Sequence, residues 1–194
     1  DYYRKTIVDC QHIISELKRL IENILLLARL DAGGHDLVPE SIPLRELFDD
    51  IAKQLGLADS GHSQRLALDF SKLPSVAADR AAFTQVCANL LINAIQHGEP
   101  DEVIAVTSEN DAQPRICFSN VSGPIEAADL GRLKERFFQA DTARAQTGRN
   151  AGLGLTIADQ LTRQLGGSLT IELRDKKHFV ATVYLPKIAP ELSS

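Results

Sequence analysis

The stretch NLLINAIQHG, residues 89–98, sets two asparagines four positions apart in an otherwise largely apolar run. Its periodicity makes 79–97 a helix. An amide on the hydrophobic face of such a helix costs roughly 1–3 kcal/mol unless something satisfies it. Asn89 and Asn93 are therefore either bonded into a core or turned toward a ligand. Gln85, Asn89, Asn93 and either Gln96 or His97 fall on one stripe, because positions i, i+4 and i+7 or i+8 share a helix face. Phe83, Val86, Leu90 and Ile95 supply apolar contacts elsewhere around it. One such asparagine is most often a satisfied core amide, whereas four polar groups in register are harder to satisfy internally. Amide oxygens also ligate a hard cation such as Mg²⁺. On this helix alone both readings stand.

A second feature is TGRNAGLGL, residues 147–155. Gly148, Gly152 and Gly154 lead directly into a helix whose first-turn amides are free, an arrangement suited to phosphate. Arg144 and Arg149 in the adjoining polar loop offer cationic partners, although each alone reads as a solvated loop arginine. A third is FSNVSGPI, residues 118–125, where Asn120 ends an apolar run and precedes a tight Ser-Gly-Pro turn. Turn chemistry by itself explains these residues. Any functional reading of the turn depends on the other two features.

Composition narrows the class. The chain has 194 residues, 44% of them hydrophobic, which is enough for one good-sized domain and a smaller element. A net charge of −5 argues against a general nucleic-acid binder. No apolar run reaches membrane-span length, and no signal peptide is visible. Cys10, Cys87 and Cys117 are odd in number, and the last two lie in apolar segments, which reads as reduced thiols of a cytosolic protein. There is no methionine, and DYYRK at the start has the look of mid-helix sequence. We read the chain as a piece of something longer.

Residues 2–32 form one long helix by periodicity, with Ile7, Cys10, Ile14, Leu17, Ile21, Ile24 and Ala28 in a heptad seam. Ile13, Leu20 and Leu27 widen that seam, so the helix suits a four-helix bundle, which other chains or further residues must complete. Gly33-Gly34 ends it. The expected organisation is a partial bundle over 1–34, a linker over 35–42 and a domain over 43–190. Within the domain, a helix from Pro43 to about Leu55 precedes a strand at RLALDF (65–70). Beyond the 79–97 helix come EVIAVTS and PRICFSN as strands around a polar turn, END, and ADLGRLKERFF as a short helix. A helix opened by AGLGL and a closing hairpin turned through KKH follow. Helices and strands intermix without strict βαβ alternation. The expected fold class is α+β: a two-layer α/β sandwich, its mixed sheet covered by helices on one face, preceded by a long bundle-type helix.

The asparagine helix, the strand-end turn, RFF at 136–138 and the GLGL loop occur in an order that resembles sensor histidine kinases of two-component systems. They look like that family's N, G1, F and G2 boxes, on the ATP-binding fold shared with gyrase and mismatch-repair ATPases. LKRLIENILLLARLDAG is similar to the second helix of the family's dimerisation bundle, and the resemblance runs from about residue 2 to 186. It implies ATP and Mg²⁺ as cofactors, with Asn93 as metal ligand and Asn89 lining the same site beside the phosphates. It implies that Gly152, Leu153, Gly154 and Leu155 hold phosphate through backbone amides, with Arg149 approaching from a lid over about 139–151. Asn120, Ser122, Gly123, Gln96, His97 and Arg144 complete the expected nucleotide site.

Two departures stand out. Asn120 replaces the family's usual aspartate, so the bond from the adenine amine loses charge assistance, and Ser122 and Pro124 alter the glycines that follow. Gln96 stands where a lysine is common. The implied partners are a response regulator and, in the full-length protein, a second copy through the bundle helices. The implied location is cytoplasmic, with a membrane reached only through upstream segments. The implied activity is transfer of the γ-phosphoryl of ATP to a histidine upstream of Asp1. His12 does not fit that role, because Ile13-Ile14-Ser15 follow it instead of an acid and, later, a proline. Two alternatives remain: a pseudokinase interaction module, and an ATP-hydrolysing enzyme of the same fold, which Asn89 in place of a glutamate base disfavours.

Overall fold

The computed structural model describes residues 2–31, 37–57, 65–123, 125–139 and 152–187. The first element, α1 (Tyr2–Asp31), is one uninterrupted helix. Its expected glycine stop lies outside the described residues. Seam residues Ile7, Ile14, Leu17, Ile21 and Ile24 are all exposed. The stripe that widens the seam behaves differently, since Leu27 and Leu30 are buried in the core and Leu20 packs against it. One face of α1 thus covers the domain, and the heptad face is left open to solvent. Among the described residues, no helix is long and apolar enough to cross a membrane.

A short strand, β1 (Glu40–Pro43), leads straight into α2 (Leu44–Gln54). Leu44, Leu47, Phe48 and Ile51 recur at helical spacing and are all buried, so this amphipathic helix turns one face to the core. Next come β2 (Leu66–Asp69) and β3 (Ser75–Ala78), the latter paired antiparallel with β1. This small two-stranded sheet was not expected. Its segments, ESIP and SVAA, are too short and too mixed for a period of two to register, and β1 begins inside the stretch read as linker.

Helix α3 (Arg80–His97) starts where Asp79 accepts a hydrogen bond from the Ala82 amide at 2.9 Å, an N-cap. The same carboxylate accepts from the Val38 amide at 3.2 Å, so the cap also anchors the approach to β1. Strands β4 (Ile104–Asn110) and β5 (Pro114–Val121) follow, alternating buried and half-buried side chains as a sheet covered on one face requires. Their turn falls just after the END tripeptide's first two residues, which remain in β4. Only Ala127–Leu130, α4, is helical in the segment expected as one short helix. Gly131 caps it, and turns carry the chain to Phe137, whose φ of 63° is left-handed. Helix α5 (Gly154–Gln164) begins at the second glycine of GLGL, and β6 (Ser168–Arg174) and β7 (His178–Tyr184) close the fold.

The main sheet has five strands in the order β2-β4-β5-β7-β6. It is mixed: β2 runs parallel to β4, and every other pair is antiparallel. Helices α2, α3 and α5 pack on it, and this α+β arrangement bears out the expected class. Phe48, Phe83 and Phe118 are fully buried between the layers, with the Phe48 ring 5.1 Å from Phe70 and 5.9 Å from Phe118. Cys87 lies in this core, where burial pushes its thiol far up, while Cys10 is exposed and Cys117 half-buried; all three are free thiols.

Candidate functional site

The polar stripe on α3 is not absorbed by the core. Asn89 is buried, yet its amide nitrogen finds no hydrogen-bond partner. Asn93, one turn on, is half-buried; Gln96 is exposed and His97 half-buried. Burial of the His97 imidazole lowers its pKa below the ordinary 6.5, favouring the neutral ring. Facing this stripe is the start of α5. A β-carbon placed on Gly154 would stand 3.9 Å from the Asn89 side-chain oxygen, so the two helices meet at these residues.

The first turn of α5 has no side-chain cap, because Leu153 precedes it and has none to offer. Its amides at 154–156 lack intrahelical acceptors by geometry and carry the positive end of the helix dipole. The side chains of Leu153 and Leu155 are buried in the core, which leaves the backbone amides as the polar part of this turn. Gly152 is required on two counts. Its φ of 64° is left-handed, and a β-carbon there would lie 2.5 Å from the Phe138 carbonyl oxygen. The Phe137 amide donates to the Gly152 carbonyl at 3.2 Å, clasping the RFF segment onto the glycine turn.

Asn120 is only 4% exposed, at the end of β5. Its amide nitrogen donates to the Val121 carbonyl at 3.2 Å, which fixes the side chain, and its oxygen has no partner among the described residues. Gly98 brings the end of α3 to this point: a β-carbon there would lie 3.3 Å from the Asn120 amide nitrogen and 2.4 Å from the Ala94 carbonyl oxygen. A bridge from Gly98 to Ser122 and a bond from the Glu99 amide to the Val121 carbonyl, 2.9 Å, stitch the two ends together. The Ser122 amide and hydroxyl both donate to the Lys177 carbonyl, at 2.8 and 3.4 Å, tying the turn to the β6–β7 hairpin. Gly123 borders open space.

The three motifs therefore converge along α3, with Asn120 at its C-terminal end and the α5 turn against Asn89. At 1.5 Å of rise per residue, Asn89 and Gly98 are about 13.5 Å apart along the axis. Arg144 and Arg149 lie outside the described residues, as does most of the expected lid. Sequence reasoning missed Gly98, although a His-Gly pair at a helix end was its visible signal. It also missed Lys134, whose ammonium donates to Asp159 at 3.0 Å and to the Leu169 carbonyl at 3.1 Å. With Thr156 donating to the Lys134 carbonyl at 3.0 Å, this residue bolts the RFF segment to α5.

Comparison with known proteins agrees with this geometry. Residues 78–189 match the family described as histidine kinase-, DNA gyrase B-, and HSP90-like ATPase, and the chain belongs to that family. Within it, the chain is a catalytic domain of the sensor histidine kinase kind. Over 172 residues it is 27% identical to the sensor protein SrrB of Staphylococcus aureus, a match covering 88% of this chain and 30% of that one. The chain thus spans about 30% of the length of these curated relatives. Among solved structures, the histidine kinase AdeS of Acinetobacter baumannii superposes with a TM-score of 0.70 at 19% identity, over 89% of this chain and 79% of that one. Full-length ShkA in complex with AMPPNP gives 0.70 at 21% identity, over 90% and 37%. The catalytic domain of ThkA gives 0.61 at 24% identity, over 77% and 97%.

Proposed function

We propose that this chain binds Mg-ATP between α3, the start of α5 and the end of β5, and directs the γ-phosphoryl to a histidine upstream of Asp1. The observation that carries the reading is a pair of buried amides with complementary unmet needs. The orphaned Asn120 oxygen is an acceptor, suited to the adenine amine, and the orphaned Asn89 nitrogen is a donor, suited to a phosphate oxygen. Asn120 stands at the C-terminal end of α3 and Asn89 near its middle, a separation suited to the two ends of a nucleotide. The similarity to full-length ShkA, a protein solved in complex with AMPPNP, supports the same assignment.

Asn93 would hold Mg²⁺ through its amide oxygen, beside Asn89 on the same stripe. When bound, the ion supplies charge neutralisation between phosphate oxygens. The residues of this chain supply position. Backbone amides at the start of α5 hold the phosphates, Asn120 and the Gly98 approach hold the base, and Arg149 and Arg144 are proposed to close over the phosphates. Asn89 cannot take a proton at neutral pH, so it does not activate water, which favours a protein acceptor over hydrolysis. In the full-length protein, the exposed heptad face of α1 would join a second copy in a bundle. The phosphorylated histidine would then pass its group to a response regulator, in the cytoplasm. The sensor-protein relatives support a response regulator as partner.

Two experiments test the reading. In calorimetry with Mg-ATP, Asn120→Leu should weaken binding roughly tenfold or more, since it strands the adenine amine without an acceptor. Asn120→Asp should tighten it through a charge-assisted bond. Equal affinity for Leu and Asn would mean that the adenine is held elsewhere. With γ-labelled ATP, the isolated chain should acquire no phosphate, whereas a longer form of its own protein with a disabled ATP site should be labelled on its upstream histidine. Acid-labile phosphate on His12 of the isolated chain would overturn the assignment of the acceptor.

A further inference from the structure

The contact between α1 and the catalytic domain lies outside the nucleotide site and serves no step of the reading above. Arg136 grips Asp31, the last residue of α1, through both carboxylate oxygens at 2.6 and 2.8 Å. Gln160 reaches the same carboxylate at 3.5 Å, and Gln164 donates to the Leu30 carbonyl at 3.4 Å. Both glutamines leave their side-chain oxygens buried without a partner. The docking is therefore real but incompletely satisfied, as befits a contact poised to open.

What Arg136 holds on its other side matters more. The next residue, Phe137, has left-handed backbone, a conformation unfavourable for a bulky side chain, and its ring is 61% exposed, so burial does not hold it there. Such strain persists only where flanking contacts over-determine it. On one flank these are the Phe137 amide bond to Gly152 and the Phe138 ring beneath the Arg132 guanidinium, 4.2 Å from its centroid. The other flank is the Arg136 grip on Asp31. The backbone of 137–138 packs directly on Gly152, at the turn that opens α5, leaving no room there for a β-carbon.

We infer that the Asp31–Arg136 pair couples α1 to the phosphate-side turn, so that docking of α1 and binding of nucleotide favour each other. This inference rests on the nucleotide reading proposed above. The pair works by pre-organisation: it holds the Gly152 turn in its binding shape before nucleotide arrives. Coupling is reciprocal, so nucleotide must tighten α1 by the same factor that docked α1 tightens nucleotide.

The test uses the whole chain, with Mg-ATP as the probe. Asp31→Asn and Arg136→Gln should each weaken ATP binding roughly two- to fivefold, modest because the pair is partly exposed. The double variant should lose no more than either single one, and the exchange Asp31→Arg with Arg136→Asp should recover most of the loss. In Phe137→Gly, which removes the strain, Arg136→Gln should no longer matter. By hydrogen exchange, ATP should slow amides near residues 25–31 in the native chain and leave them unchanged in the single variants. A native chain that does not bind ATP overturns both this inference and the functional reading. Native binding with unaltered affinity in the variants, additive losses, or no effect of ATP on α1 overturns the coupling alone.

Discussion

Asn93→Ala is expected to weaken Mg-ATP binding by about 100-fold or more, while the chain stays folded. A hydrogen bond to a charged group is worth roughly 1.5–3 kcal/mol by itself, and each 1.4 kcal/mol is tenfold in affinity. Removing the proposed metal ligand should add to that loss. The fold should not suffer, because Asn93 is half-buried and alanine is the better helix former. Calorimetry with and without Mg²⁺ reads the first effect, and thermal unfolding followed by circular dichroism reads the second. Undiminished affinity in the variant, with Mg²⁺ present, would remove Asn93 from the site.

Gly152→Ala should be severely damaging for a change of a single methyl group. The added carbon would sit 2.5 Å from the Phe138 oxygen and 2.9 Å from the Phe137 carbonyl carbon. Both are backbone atoms and cannot swing aside as a side-chain tip would. The left-handed φ adds a cost even in open space. We expect a loss of roughly 2–4 kcal/mol in stability, with nucleotide binding lost alongside it. Gly131→Ala is the control, since φ there is −64° and a β-carbon meets nothing within 4 Å. Urea denaturation separates them, and indistinguishable midpoints would contradict the account of the glycine turn.

Where the sequence was legible, one local signal agreed with one long-range need. Leu44, Leu47, Phe48 and Ile51 read as a helix because their spacing is what the core uses. Legibility failed where two stripes or two partners compete. Nothing in the spacing of α1 says that Leu27 and Leu30 meet its own domain while Ile14 and Leu17 stay open; that depends on where α5 lies. The extent of α4 was overdrawn because ADLGRLKERFF has helical composition, whereas Gly131 and the Arg136 grip hold the chain in turns. At the site, residue types were readable but their unmet atoms were not. That Asn89 lacks an acceptor for its nitrogen, and Asn120 a donor for its oxygen, follows only from what packs around each.

The position of β7 has a consequence for how this chain comes into being. Among the described residues it is the last strand in sequence yet an interior strand of the sheet, pairing β5 on one side and β6 on the other. A ribosome delivers residues in order, so β2, β4 and β5 can assemble while β5 still shows a bare edge, and β6 emerges with no strand beside it. That edge is a template for any neighbouring nascent chain until residues 178–184 slot in. Assembly of the sheet is therefore a late insertion into a waiting gap, and truncation just before His178 would leave a three-stranded sheet and a lone β6 instead of trimming one edge.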